Sequence, residues 1–177
     1  KGRIKYVDKT KDGIINDDDK FFTGDANPDF TYGLTTDIYY KGFELSMMLQ
    51  GSQGNDIFNV GATADLDLGY GLNVRRDVLY NHWDASMTDE QKAHAKYPII
   101  SRSVNNRASD RYIEDGSYLR LKNISLGYNL PLAKMKINWM KGLKVYVSGQ
   151  NLLTLTNYSG YDPEVNSWGS DTVAFDY

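Results

Sequence analysis

Residues 109–131 read SDRYIEDGSYLRLKNISLGYNLP, and residues 145–165 read VYVSGQNLLTLTNYSGYDPEV. In the first stretch Leu119 and Leu121 share one face, while Ile124, Leu126 and Tyr128 continue the alternation in the opposite parity. Successive side chains of a strand point to opposite faces, so this is one long strand whose phase changes near Lys122 and Asn123. Such a change marks a β-bulge or a crossing between environments. In the second stretch Val145 and Val147 alternate with Lys144, Tyr146 and Ser148, and residues 150–156 carry the strand on. The two strands form a pair joined through residues 129–141, and the chain then enters an aromatic loop.

A second pair lies upstream. Phe30, Tyr32, Leu34, Thr36 and Ile38 alternate with Thr31, Gly33, Thr35 and Asp37. Tyr40, Lys41 and Gly42 make a short turn, after which Phe43, Leu45, Met47 and Leu49 alternate with Glu44, Ser46, Met48 and Gln50. Period two with a short turn between the runs predicts an antiparallel hairpin. The predicted strands are about 29–40, 42–50, 117–128 and 142–156, and residues 51–110 and 157–177 are predicted to be loops. One short helix is expected over residues 89–96. Thr88 and Gln91 have the spacing of a capping box, and Pro98 stops the helix from running on.

Composition agrees with an all-β chain. The 177 residues include fourteen Tyr, sixteen Gly and only four Pro; Tyr favours strands and Gly punctuates them. A net charge of −3, with no basic cluster interleaved with aromatics, argues against a nucleic-acid surface. Cysteine is absent, which excludes disulfides, thiolate metal sites and cysteine nucleophiles within the chain. No apolar run approaches the roughly 18 residues of a membrane helix. Barrel strands need only about ten alternating residues each, so the mean hydropathy of −0.54 does not exclude a membrane barrel. The opening KGRIKYVD reads as the middle of a longer protein.

One motif carries specific chemistry. Residues 8–19 read DKTKDGIINDDD, a twelve-residue loop that supplies oxygens from alternate positions, as a hard cation such as calcium requires. Asp8, Thr10 and Asp12 take the first, third and fifth positions. Ile14 offers its backbone carbonyl, Asn16 acts through water, and Asp19 closes the site. Gly13 permits the turn and Ile15 anchors the loop. Thr10 is a poorer ligand than Asp, and Asp19 is shorter than the usual closing Glu. The alternative reading is a cluster of Asx turns whose carboxylates face solvent.

Catalytic arrangements are not evident. His82 and His94 are the two histidines and have no partners at metal or dyad spacing. Ser109 and Asp110 form no nucleophile elbow. Gly69, Tyr70 and Gly71 are too few for a dinucleotide loop, and Glu114 and Asp115, as neighbours on a strand, point apart. No enzyme is expected. Three roles are open to the aromatics. Tyr39, Tyr40, Tyr112, Tyr118, Tyr128, Trp139, Tyr146, Tyr158 and Tyr161 suit interfacial girdles of a barrel or cross-strand pairs of a soluble sandwich. Trp83, Tyr158, Tyr161 and Trp168 could instead stack on sugar rings.

In wording and order, several blocks resemble the C-terminal part of the SusC/RagA family of TonB-dependent outer-membrane transporters of the Bacteroidetes. These are the DGII loop at residues 12–15, NPDFTYGL at 27–34, YKGFELSMMLQGSQGNDIFN at 40–59, SDRYIEDGSYLRLKN at 109–123, and VSGQNLLTLTNYSGYDPEV at 147–165. Residues 60–106 match only loosely. The resemblance implies a C-terminal segment of a large transmembrane β-barrel of about 22 strands. Residues 1–28 would then be a polar turn region, and 29–177 part of the wall. It further implies uptake of glycans or peptides together with a SusD-like surface lipoprotein, driven by the TonB complex through upstream parts. Outer-membrane lipid would surround the wall. The alternative is a soluble, calcium-stabilised β-domain that binds carbohydrate or a partner protein.

Overall fold

The computed structural model describes residues 2–64, 73–101, 107–164 and 175–176. Along the chain the strands and helices are β1 (Phe30–Tyr40), β2 (Phe43–Gln53), β3 (Asp56–Asn59), α1 (Val60–Ala64), α2 (Arg76–Asn81), α3 (Asp89–His94), β4 (Ile113–Asp115), β5 (Tyr118–Asn129), β6 (Lys144–Thr156) and β7 (Phe175–Asp176). Single 3-10 turns occupy Asp17–Asp19 and Asp110–Tyr112. The chain divides into two compact units. One comprises Lys1–Asp25, Ile57–Glu114 and Gly160–Tyr177, and the other comprises Ala26–Asp56 and Asp115–Ser159. The polar opening stretch thus falls in one unit with residues 57–114, a grouping that the division at residue 28 does not express.

The second unit is a four-stranded antiparallel sheet in the order β1-β2-β5-β6. Lys41 (φ 48°) and Gly42 (φ 90°) close the β1–β2 hairpin. Two positive φ values match a type I′ turn, whose twist suits the flanking strands. The phase change read at Lys122 is a β-bulge. Met48 pairs with Asn123 and Leu49 with Leu121, so Lys122 is an extra residue relative to β2. On the other side Leu121 pairs with Leu153 and Asn123 with Gln150, which leaves Asn151 and Leu152 opposite Lys122. Asn151 takes a positive φ of 50°, a conformation that Asn tolerates better than most residues. Relative to β2, then, β6 carries two extra residues, and its alternation keeps the same parity throughout. The irregularity in β6 is therefore invisible to a period-two reading, although it is larger than that in β5.

β2 runs on to Gln53, beyond the predicted end at residue 50. Gly51 and Ser52 give little strand signal, yet the ladder continues because Tyr32 pairs with Gly51. The Tyr32 ring fills the space a side chain would take: a Cβ on Gly51 would lie 2.3 Å from Tyr32 Cζ.

The first unit holds the small sheet β4-β3-β7, where β7 runs parallel to β3 with Phe58 opposite Phe175. Val78 and Tyr112 are buried at its core, packed by Ile4, Phe58, Ala62, Val74, Tyr97 and Ile100. Phe58 meets Tyr112 edge-on, ring centroids 6.1 Å apart. α3 begins at the predicted capping box, with Gln91 N donating to Thr88 Oγ1 at 3.2 Å and Thr88 N to Gln91 Oε1 at 2.9 Å. It ends at His94, two residues short of the predicted 96. The stretch 51–110 is not a plain loop, since it also contains β3, α1 and α2. At five and six residues those helices are too short to display a helical period, and Arg75, which precedes α2, makes no side-chain cap.

The candidate functional site

The feature of the four-stranded sheet that bears on function is the contrast between its two faces. The pairings place Leu34, Leu49, Leu121 and Leu153 in one row, and Ile38, Leu45, Leu126 and Val147 in another, all on the same face. That face turns outward: Leu34 is 56% exposed and Val147 68%. The opposite face carries Thr35, Asp37, Glu44, Ser46, Gln50, Arg120, Asn123, Ser125, Gln150 and Thr154. Arg120 and Glu44 are the anchors of this face. Arg120, only 5% exposed, donates from Nε to Thr154 Oγ1 at 3.0 Å, and its guanidinium lies 5.4 Å from the Tyr118 ring. Glu44 accepts from Asn129 Nδ2 and Lys144 Nζ, tying β2 to β5 and β6. Lys144 passes over Gly127 to do so, since a Cβ there would meet its Cε at 2.7 Å.

A water-soluble sheet buries its apolar face, and this sheet leaves that face exposed along β1 and β6, where residues of the opposite face are exposed as well. β1 and β2 are each 11 residues long, which at 3.3 Å per residue spans about 36 Å. Tilted by about 45°, such a strand covers about 25 Å of height, the thickness of the apolar band on a transmembrane barrel. The aromatic residues split accordingly. Tyr39, Tyr40, Phe43, Tyr128 and Tyr146 gather at the end marked by the Lys41–Gly42 turn, with Phe43 and Tyr128 centroids 4.5 Å apart. Tyr112, Tyr118 and Tyr158 are buried, so none of them forms a girdle, and Tyr158 offers no face to a sugar. Tyr161 is exposed. The Trp83 ring packs where a Cβ on Gly2 would lie 2.2 Å away, with Lys92 Nζ at 5.9 Å. Trp168 lies outside the described residues.

The loop over residues 8–19 is held by its carboxylates. Asp8 accepts from Lys11 N at 2.6 Å and Gly13 N at 2.8 Å, and Asp12 accepts from Ile14 N at 2.8 Å. Asp19, which is buried, accepts from Lys9 N, Thr10 N and Asn16 N at 2.8, 3.1 and 3.0 Å. The backbone N–H groups of Asn16 and Thr10 hold its carboxyl below the ordinary carboxylate range, against the opposing effect of burial. Asn16 caps the 3-10 turn by accepting from Asp18 N at 2.7 Å. Thr10 Oγ1 lies 3.3 Å from Asp8 and 3.2 Å from Asp19, so three of the six predicted ligands come together. Asp12 turns to its own strand of backbone, and Asn16 is engaged as a cap. Among the described residues, no three His, Cys, Asp or Glu side chains gather as a metal group. Arg107 closes over the loop, donating from Nη1 to the Ile15 carbonyl at 3.2 Å.

His82 and His94 are not joined: His82 Nδ1 lies 2.7 Å from the Leu79 carbonyl, and His94 ends α3. Glu114 accepts from Asn59 and Asp115 from Ser117 N. One polar cluster gave no sequence signal. Asp77 accepts from the Tyr97 hydroxyl at 2.6 Å, with Lys96 at 3.6 Å and Arg75 at 3.9 Å. Tyr97 chiefly, then the two cations, hold the Asp77 carboxyl below its ordinary range.

An antiparallel sheet with an exposed apolar face, a polar opposite face and an aromatic rim is a piece of transmembrane β-barrel wall. Known proteins identify which barrel. No protein-family model matches the chain. TonB-dependent receptor P3 of Formosa agariphila is 38% identical over 161 residues, covering 91% of this chain and 15% of that receptor. TonB-dependent receptor SusC of Bacteroides thetaiotaomicron is 30% identical over 163 residues, covering 92% and 15% respectively. A chain of the solved RagAB peptide transporter superposes with a TM-score of 0.69 at 28% identity, covering 85% of this chain and 16% of that one. This chain belongs to the SusC/RagA family of TonB-dependent receptors, which are outer-membrane proteins. It spans 15% to 17% of the length of the curated relatives it matches.

Proposed function

We propose that this segment forms part of the wall and outward loops of an outer-membrane importer that takes up glycans or peptides with a SusD-like lipoprotein partner and energy from the TonB complex. The observation that carries the reading is the two-faced sheet: lipid can cover the Leu34 and Val147 face, and the Arg120 and Glu44 face can line a polar lumen. The names of the similar proteins support import, since RagAB is described as a peptide importer and SusC as a TonB-dependent receptor. In barrels of this type short turns face the periplasm and long loops face outward. The Lys41–Gly42 end is then periplasmic, and the long excursion between β2 and β5 lies outside, where cargo and lipoprotein arrive. The soluble alternative leaves the exposed apolar face unexplained.

The test places Arg in the full-length receptor at Leu34 and Val147 on one face, and at Thr35 and Ser148 on the other. Arg on the lipid face costs about 2–4 kcal/mol at mid-membrane, where Leu34 falls, and less at Val147, which lies nearer the hairpin end. The first pair is expected to deplete folded receptor from the outer membrane and abolish growth on the cognate nutrient. The second pair assembles normally and changes uptake alone. Equal tolerance of both pairs would overturn the reading. Calcium in the loop of residues 8–19 is a separate proposal about stability, supported by the approach of Asp8 and Asp19 to Thr10. It predicts a higher unfolding temperature of the receptor in calcium than in chelator, and no shift would remove the ion.

A further inference from the structure

The connection between β5 and β6, residues 130–143, reads LPLAKMKINWMKGL. It leaves the sheet at the same end as the Lys41–Gly42 turn, because Tyr128 pairs with Phe43 and Asn129 with Lys144. It is an ordered turn. The Pro131 carbonyl accepts from Lys134 N at 2.9 Å and Met135 N at 3.2 Å, Ile137 N donates to the Leu132 carbonyl at 3.0 Å, and Leu130 N donates to the Leu143 carbonyl at 2.9 Å. Leu132 is buried and pins the turn, and the larger apolar groups point outward: Trp139 is 82% exposed and Met135 51%. Lys134, Lys136 and Lys141 are exposed beside them. Among the described residues none of these three lysines has an ion-pair partner. The sequence places no Asp or Glu between Asp115 and Asp162.

Water alone gives an exposed Trp no reason to be held out on an ordered turn. A lipid interface matches both features together, because an indole sits at headgroup depth and unpaired lysines meet phosphate. The turn also continues the aromatic rim of Tyr40, Phe43 and Tyr128, which closes the apolar face, so it lies where the apolar wall ends. We propose that residues 130–143 are a docking surface for anionic phospholipid, with Trp139 and Met135 entering the headgroup region and Lys134, Lys136 and Lys141 contacting the phosphates. This rests on the barrel-wall reading above.

The test uses the full-length receptor in detergent, with phosphatidylglycerol or phosphatidylcholine added and bound lipid counted by native mass spectrometry. Wild-type receptor retains phosphatidylglycerol preferentially. The combined change Lys134→Gln, Lys136→Gln and Lys141→Gln lowers that retention about tenfold and leaves phosphatidylcholine unchanged. Trp139→Ala weakens retention of both lipids. If the triple variant does not fold, as judged by heat-modifiable gel migration, the wild-type receptor decides alone: its preference falls as salt rises. Equal phosphatidylglycerol retention by wild type and triple variant, a salt-independent preference, or loss of a co-purifying protein in place of lipid would overturn the proposal. Insertion into bilayers of both lipids without headgroup preference defeats this proposal only, whereas failure to insert into either defeats the wall itself.

Discussion

Gly51 shows how a single position can be set by both neighbouring strands. A Cβ there would lie 2.3 Å from Tyr32 Cζ and 2.6 Å from the Tyr118 carbonyl oxygen. The ring can rotate away, but the carbonyl belongs to the ladder and cannot. Gly51→Ala is therefore expected to destabilise the receptor by about 1–3 kcal/mol, the usual cost of overpacking. Gly33→Ala, whose Cβ would stand an ordinary 3.6 Å from the Leu49 carbonyl, is the matched control. Urea unfolding in detergent compares them, and equal midpoints would refute the account. Asp19 makes a different kind of prediction. Its folded-state pKa lies below that of the unfolded chain, so its contribution is complete above the ordinary value of 3.8 and is lost as pH falls through the folded value. Hydrogen exchange at the Lys9, Thr10 and Asn16 amides should accelerate in that acid window. Asp19→Asn should exchange fast at neutral pH too, with the acid step gone. The sequence identified Asp19 as important through its place in a ligand pattern. The structure gives it a role as a hydrogen-bond acceptor, which depends on local turns and not on ligand count.

At the scale of elements, alternation made the four long strands legible because each has one apolar and one polar face, the condition under which period two survives in a sequence. The β5 bulge was legible for the same reason, since one extra residue reverses parity at Lys122. The β6 irregularity was not, since two extra residues restore parity. α1, α2, β3 and β4 carry too few residues for any period, and the Val78–Tyr112 core that organises them is assembled from distant segments. The bulge gives a sharp test. Deleting Lys122 would carry Leu119 and Leu121 to the polar face while Ile124 and Leu126 stay in register, or else slip the whole strand. Assembly of the receptor into its heat-modifiable form should fail. Lys122→Ala keeps the extra residue and should assemble as wild type. Normal assembly of the deletion would show that the bulge does not fix the register.

For the whole molecule, the apolar face and the sheet edges lead to one expectation. Among the described residues β1 and β6 have no outer neighbours in the sheet, and an unpaired edge is a template for another strand. Exposed edges and an exposed apolar face act together in water. The candidate site was legible only as far as this two-faced pattern. Residue type alone makes Trp139 a girdle candidate, but the unpaired lysines of its turn and the Asp77–Tyr97 contact depend on turns that no period encodes. Expressed alone, the chain is expected to self-associate in plain buffer and to become monodisperse once detergent covers the Leu34 and Val147 face. Sedimentation velocity across the critical micelle concentration measures this directly. Replacing Leu34, Ile38 and Val147 with Lys should shift the chain toward the monomer without detergent, because the change removes the driving force from that face. A folded wild-type monomer in plain buffer would mean that the apolar face finds cover within the chain, and the soluble β-domain would then be the better account of this segment.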